Sequence, residues 1–307
     1  MADSAKRNKG IVRGLIIVAL VAVLGYLPSW LGESGWRDVF LPARPAAQES
    51  DFQVHFIDVG QGDSILVEAQ GAFLLVDGGE RGQEDTVIAY CKAQGVKTLN
   101  LVVATHPHSD HIGGLAYGVL EAFPVGEVIS GRYAKENMPD TRSYETFLRV
   151  VSKLVSEQGT KATQAEPGLV FALGEARVTL LAPEETNKDY NNSSVALRID
   201  YGEASVLLTG DAEAEGEAIL AERYGGALQA DLLKCGHHGS KTSSVKRFVE
   251  LVAPSAAVIS CGAGNSYGHP HPQTLALFEA MGVSVFRTDL EGSLVFASDG
   301  KSIWKRG

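Results

Sequence analysis

Four potential metal ligands, His106, His108, Asp110 and His111, fall within six residues and follow directly on an apolar run at residues 101–104. A short apolar run of this kind reads as a buried strand. Pro107 cannot sit inside a central strand, so the ligands stand on the loop beyond the strand end. A rigid strand that delivers side chains into a loop is a common way for a scaffold to present a site. Imidazole nitrogen suits Zn, Mn and Fe, and a carboxylate can complete the set. The competing reading is an exposed polar loop that holds three histidines by chance. The H-x-H-x-D-H spacing behind a buried strand argues against it.

The length of 307 residues allows one large domain or two modest ones, and 45% hydrophobic content supplies a core. Net charge is −10, although residues 1–13 carry four cations and one acid. Such a balance is not the footprint of a general nucleic-acid binder, which presents a basic face. Cys91, Cys235 and Cys261 are too few for a disulfide framework and lack C-x-x-C spacing, so they read as small buried apolar residues.

Residues 14–31 form 18 consecutive uncharged residues, the lower limit for a membrane span. The cations before them would stay on the cytoplasmic side and place the remainder outside. We read residues 1–31 as an N-terminal transmembrane anchor, with a cleaved signal peptide as the rival. Residues 32–50 have no sustained period and read as a linker. The folded domain is expected over 51–307.

Strands are expected at 52–58, 64–67 and 73–76, with Asp58, Asp63 and Asp77 at their turns and exits. His55 alternates with Phe52, Val54 and Phe56 and reads as structural. A helix at 84–95, the strand at 101–104 and a helix from Gly113 follow. Residues 124–190 are less legible, apart from a helix at 143–157 and a strand at 177–181. Asn191 and Asn192 precede a strand at 195–199. The next strand, 204–208, exits at Thr209-Gly210-Asp211, and a helix covers 212–224. A strand at 230–235 exits into His237 and His238, with Ser240 and Lys241 close to the start of another helix, near Ser243 or Ser244. That helix start is suited to hold an anion. After a strand at 257–260, a loop carries His269 and His271, each followed by proline. A helix to Met281 and strands near 283–286, 293–297 and 302–304 close an α/β chain whose sheets are covered by helices.

The H-x-H-x-D-H at 106–111, T-G-D at 209–211 and the histidine at 237 resemble the metallo-β-lactamase superfamily. D-V-G-Q-G-D-S at 58–64, H-H-G-S at 237–240 and Y-G-H-P-H-P at 267–272 are similar to the extracytoplasmic hydrolase-like domain of ComEC-type competence proteins, over roughly 52–305. The resemblance implies a four-layer αβ/βα sandwich with two divalent ions at one sheet edge, Zn first and Mn second. It implies His106 and His108 on one ion, Asp110 and His111 on the other, and Asp211 as the bridge. His237 would complete the second position, with His238 as the alternative. The superfamily commonly supplies a further histidine between the loop and the bridging Asp, and residues 112–236 hold none. Asn191 or Asn192 is the expected substitute, a weaker ligand than imidazole for Zn.

Two such ions activate water near neutral pH and polarise a phosphoryl or carbonyl oxygen. Asp110 would orient the nucleophile, and Asp58, Asp63 and Asp77 would hold the ligand imidazoles from behind. His269 would contact a phosphate or protonate the leaving oxygen, and Ser240, Lys241 and His271 would help grip the anion. The expectation is an extracytoplasmic, membrane-anchored or secreted metal-dependent hydrolase of phosphodiesters. The resemblance implies single-stranded DNA as substrate, and no feature calls for an obligate protein partner. The alternative is a hydrolase of small or cell-envelope esters or lactams, which an acidic chain suits better than a long polyanion. A module that keeps metal only for folding is the third reading.

Overall fold

The computed structural model describes residues 50–181 and 189–307. The expected anchor at 1–31, and the linker up to residue 49, lie outside the described residues. Among the described residues no helix is long and apolar enough to cross a membrane.

The chain first lays down β1 (Phe52–Phe56), β2 (Ile65–Ala69), β3 (Ala72–Val76), β4 (Leu99–Ala104), β5 (Val125–Ser130) and β6 (Lys161–Gln164). It then crosses to β7 (Val170–Leu173), β8 (Ala176–Leu181), β9 (Ala196–Tyr201) and β10 (Ala204–Leu208). β11 (Leu232–Lys234), β12 (Ala256–Ile259) and β13 (Ser284–Arg287) continue that second sheet. Finally β14 (Leu294–Ser298) and β15 (Ile303–Lys305) return to the first. The spatial orders are β15-β14-β1-β2-β3-β4-β5-β6 and β13-β12-β11-β10-β9-β8-β7.

Period-two alternation decides what each face buries. Phe52, Val54 and Phe56 of β1 point between the sheets and meet Val206, Leu208, Leu232 and Val258 of the second sheet in one apolar layer. The outer face of the first sheet, with Leu66, Leu75 and Val102, is covered by α1 (Glu84–Ala93), α2 (Ser109–Gly114) and α3 (Arg142–Gln158). The outer face of the second, with Leu207, Leu233 and Ala257, is covered by α4 (Ala214–Tyr224), α5 (Lys246–Val252) and α6 (Pro272–Ala280). This is the expected four-layer αβ/βα arrangement. His55 faces outward on β1 but is buried, with Nδ1 3.0 Å from the Tyr90 hydroxyl of α1. Burial, helped by the nearby Arg306 charge, pushes its imidazole down to about 4, so it is a neutral part of the core.

Helix α3 matches the spacing seen in the sequence. Thr141 caps it by accepting from Tyr144 N, and Gly159 ends it at φ 71°. Three strands, β5, β6 and β7, fill the stretch that the sequence left open. β6 and β7 carry few buried side chains, and in β5 Gly126 and Glu127 interrupt the apolar run, which weakens the periodic signal. Helix α5 starts at Lys246, later than expected, because Ser244 N and Val245 N are taken up by the buried Glu217 carboxylate at 2.5 and 2.8 Å. That carboxylate occupies the helix start at which the sequence suggested an external anion.

β3, β4, β5 and β6 run parallel, as do β10, β11, β12 and β13. Parallel strands open a crevice at their carboxyl ends, where ligands are usually bound. Here backbones interleave at contact distance. Gly78 N donates to His111 O at 2.7 Å, and Gly114 N donates to Gly79 O at 2.9 Å. A Cβ on Gly114 would lie 1.9 Å from Gly78 O, and one on Gly62 would lie 2.2 Å from Asp110 O. These glycines are what allows the loops to meet. Gly114→Ala should therefore destabilise the protein by about 1–3 kcal/mol or more in a denaturant titration. Gly226→Ala, with open space around its Cβ, should stay within about 0.5 kcal/mol of wild type. Equal midpoints for the two variants would contradict the close approach.

Candidate metal centre

The side chains gathered at the crevice leave the ends of strands from both sheets. Asp77 follows β3, His106 to His111 follow β4, Asp211 follows β10, His237 and His238 follow β11, and His269 stands in the loop after β12. The Asp77 backbone is held in the left-handed region, φ 60°, which for a non-glycine residue stores strain at a functional site. Its carboxylate accepts from Thr105 N at 2.8 Å and Thr105 Oγ1 at 2.6 Å, and lies 2.8 Å from His111 Nδ1. The Thr105 and His111 bonds tie the two ends of the loop, the residue before His106 and His111 itself, to one acceptor.

Asp211 is the centre of the group. Its Oδ2 lies 3.2 Å from His111 Nε2 and 3.3 Å from His238 Nε2. It lies 3.8 Å from His106 Nε2 and 3.9 Å from His237 Nε2. Two half-sites share this oxygen. In one, His106 Nε2 and His108 Nδ1 face each other at 3.1 Å. In the other, Asp110 Oδ2 is 3.3 Å from His238 Nε2 and 4.0 Å from His111 Nε2. His238 rather than His237 sits with Asp110 and His111, and its Nδ1 is fixed 3.0 Å from Ser260 O.

The donor set fits divalent ions. Ligands about 2.0–2.2 Å from a cation sit some 3–4 Å from each other, as these do. Asp211 Oδ1 is buried without a partner. Asp63, His111, Asp211 and His238 also offer one atom each within 4.8 Å of one another. Asp63 is nevertheless spent elsewhere: its Oδ2 is 2.5 Å from Lys234 Nζ, and its Oδ1 faces the His238 Nδ1 edge at 3.6 Å. Asp110, which lines the cavity, is thus better placed than Asp63 to serve as a second carboxylate donor, and Asp63 with Lys234 lies behind His238.

Charge follows the same geometry. Burial holds His106 well below its usual range, with the His111 charge adding to it, and burial also lowers His108, so both are neutral donors. Burial opposes charge on His111 and His238 too. The Asp211, Asp77 and Asp110 carboxylates outweigh it for His111, and Asp211, Asp110 and Asp63 do so for His238, raising both well above 6.5. Burial resists the Asp110 and Asp211 anions, but the surrounding imidazoles keep both carboxyls low.

The other expected residues divide. His269 lines the same cavity of about 460 Å³ as His108, Asp110, Asn191, Asp211, His237 and His238. Asn265 clamps its backbone, accepting from His269 N and donating to His269 O. Burial and the His238, His237 and His271 imidazoles push His269 down to about 4. Asn192 is not free to ligate: its Oδ1 accepts from Glu213 N and Gly216 N, and its Nδ2 donates to Asp189 Oδ2. Asp58 is exposed and accepts from Gly60 N, apart from the imidazoles. Ser240 pairs with Thr242 in a turn, and Lys241 N donates to His271 Nδ1 at the start of α6; none of Ser240, Lys241 and His271 lines the cavity. Sequence reasoning passed over Lys234 and Glu213. A lysine inside an otherwise apolar strand, as at 230–235, was the available signal for the first.

The metallo-beta-lactamase superfamily profile matches residues 57–263. The chain is 32% identical over 288 residues to competence protein ComA of Neisseria gonorrhoeae, covering 92% of this chain and 38% of that one. It is 31% identical to ComE operon protein 3 of Bacillus subtilis, covering 80% and 33%, and 32% identical to recombination protein 2 of Haemophilus influenzae, covering 79% and 28%. The chain thus spans little more than a third, at most, of these relatives. Among solved structures, the metallo-beta-lactamase fold protein YhfI of Bacillus subtilis superposes with TM-score 0.52 at 15% identity, covering 83% of this chain and all of that one. At that identity the likeness speaks for the fold alone.

Because His111 and His238 hold protons more firmly than free imidazole, a divalent ion must displace them. Zn or Mn affinity should therefore rise as pH climbs above 6.5 through their raised values, with proton release seen by calorimetry in two buffers of different protonation enthalpy. The metal-free protein should behave oppositely. Its stabilisation by these two groups is complete below 6.5 and is lost as pH rises through the folded values. Buffer-independent binding heats would contradict this.

Proposed function

We propose that this chain, which belongs to the metallo-beta-lactamase superfamily, is a metal-dependent phosphodiesterase that acts on a nucleic-acid strand outside the cytoplasm. The observation that carries the reading is the shared Asp211 Oδ2, with two imidazoles on one side and Asp110, His111 and His238 on the other, at the floor of an open cavity. His106, His108 and Asp211 would hold one ion, and Asp110, His111, His238 and Asp211 the other. Bound there, two divalent ions supply an activated water and Lewis acidity toward a phosphoryl oxygen.

The protein's own side chains do the rest. Asp110, a half-buried anion at neutral pH that faces the cavity, accepts a hydrogen bond from the attacking water and aims it. His269, kept neutral, offers a hydrogen bond rather than a charge to the phosphate. Tyr267 stands at the cavity rim, 64% exposed, with its ring stacked on His269 at 5.6 Å. An exposed aromatic beside a phosphate site is suited to stack a nucleobase, an interaction that typically contributes about 1–3 kcal/mol. The relatives' names, competence and recombination proteins, favour the nucleic-acid reading. The net charge of −10 instead favours small or cell-envelope esters or lactams, which remain the second reading.

Single-stranded DNA and bis(p-nitrophenyl) phosphate, with Mn or Zn, separate the two. The metal-loaded protein should cleave both, and Asp110→Asn should lose about 10²–10⁴-fold on both. Tyr267→Ala should lose activity on DNA while keeping it on the small diester. Failure of the loaded wild type to cleave any phosphodiester, with turnover of a lactam or carboxylic ester, would replace this reading with the second. For the location, residues 1–31 would hold the domain to the outer face of the membrane. Protease added to intact cells should then degrade it, and full protection until lysis would argue against that placement.

A further inference from the structure

His106 Nε2, His108 Nδ1 and Asp211 Oδ2 make a half-site of three donors, and no histidine in residues 112–236 supplies a fourth. Lining the same cavity as His108 and Asp211 are Asn191 and His237. Both are tied to one carboxylate. Glu213 Oε1 lies 2.8 Å from His237 Nδ1, accepts from Thr242 Oγ1 at 3.0 Å, and takes Asn191 Nδ2 at 3.5 Å. We propose that His237, oriented by Glu213, is the fourth ligand of the His106–His108 ion, and so takes the place of the absent histidine. The assignment rests on the binuclear reading above but not on its substrate.

Three features carry it. Glu213 Oε1 stands 2.8 Å from Nδ1, and a proton held on that nitrogen would leave the Nε2 lone pair free, the usual way a ligating histidine is oriented and made more basic. That Nε2 lies 3.9 Å from Asp211 Oδ2, and His106 Nε2 lies 3.8 Å from the same oxygen, so the two stand equally far from the shared bridge. The backbone is arranged for it as well. His237 and His238 both sit in the left-handed region, φ 46° and 53°. Two successive non-glycine residues there are costly and persist when the surroundings demand them. The result turns neighbouring rings, 6.0 Å apart, to different tasks: His238 to Asp110 and Asp211, and His237 to Glu213.

Glu213 is itself positioned, because Asn192 Oδ1 accepts from its backbone N–H at 3.1 Å. The asparagine pair thus serves the half-site through Glu213. Asn191 is the rival ligand, since its Oδ1 is buried without a partner. An amide oxygen is the weaker donor for Zn, and the 3.5 Å contact from its Nδ2 to Glu213 holds it loosely.

The test counts ions. The full chain is stripped, reloaded with Zn and passed over a desalting column, and bound metal is measured by mass spectrometry, with circular dichroism confirming the fold. Wild type should retain two ions, and His237→Ala should retain one. Glu213→Gln, which keeps the shape of the partner, should weaken the more labile ion about 10–100-fold in a competition titration. Asn191→Ala should change neither number nor affinity. Two ions held by His237→Ala with unaltered affinity would overturn the assignment. So would loss of one ion in Asn191→Ala, or a single ion in wild type that is indifferent to both His237→Ala and Glu213→Gln. If His237→Ala fails to fold, Glu213→Gln decides alone. A protein that shows the expected ion counts yet cleaves no diester would refute the proposed substrate and leave the ligand assignment standing.

Discussion

The buried carboxylate of Asp211 is the point on which the rest of the molecule turns. An anion without solvent is costly unless opposite charge and hydrogen-bond donors surround it. Four imidazoles lie within 3.9 Å of its Oδ2, and they come from loops on both sheets. The sandwich can close over this group only if the ends of β4, β10 and β11 arrive together. The apolar layer between the sheets, from Phe52 to Phe296, supplies the force that brings them there. Site and core are therefore coupled: the packing sets the separation of the sheets, and the separation sets the ligand distances.

A second ion pair reinforces that junction. Lys234, at the end of β11 in the second sheet, reaches Asp63, in the turn that joins β1 to β2 of the first. A buried pair of this kind adds little net stability over apolar residues of the same size, but removal of one partner strands the other. Its consequence here is orientation. With Lys234 on its Oδ2, Asp63 stays behind His238, while Asp110 and Asp211 are the carboxylates that face the cavity. Glu213 does the corresponding work on the opposite flank, from the segment that follows Asp211.

Much of this was legible along the chain. The strands that carry ligands are short apolar runs with Gly-rich exits, and their period gave β1, β3, β4, β9, β10 and β12 within a residue or two at most ends. The four-layer arrangement was what the resemblance carried by the H-x-H-x-D-H loop and its accompanying motifs implied. β6 and β7 were not legible, because edge strands with exposed faces lack a strong period, and in the interior β5 Gly126 and Glu127 interrupt the apolar run. The start of α5 was misplaced because the group that satisfies its first N–H groups, Glu217, lies 27 residues earlier. No local rule connects those positions.

By itself the sequence determined which chemistry the chain can hold: imidazoles and carboxylates at strand exits, on an α/β scaffold with enough apolar residues to close. The tertiary structure decided which of those groups act together. The placement of His238 beside Asp110 and of His237 beside Glu213, the engagement of Asn192 by Glu213 N and Gly216 N, the separation of Asp58 from the imidazoles it was expected to support, and the contacts of Lys234 all depend on side-chain direction. Adjacent residues in a strained turn point tens of degrees apart, and distant ones meet within 3 Å. Such directions are set by packing between the two sheets, which spacing along a chain does not encode.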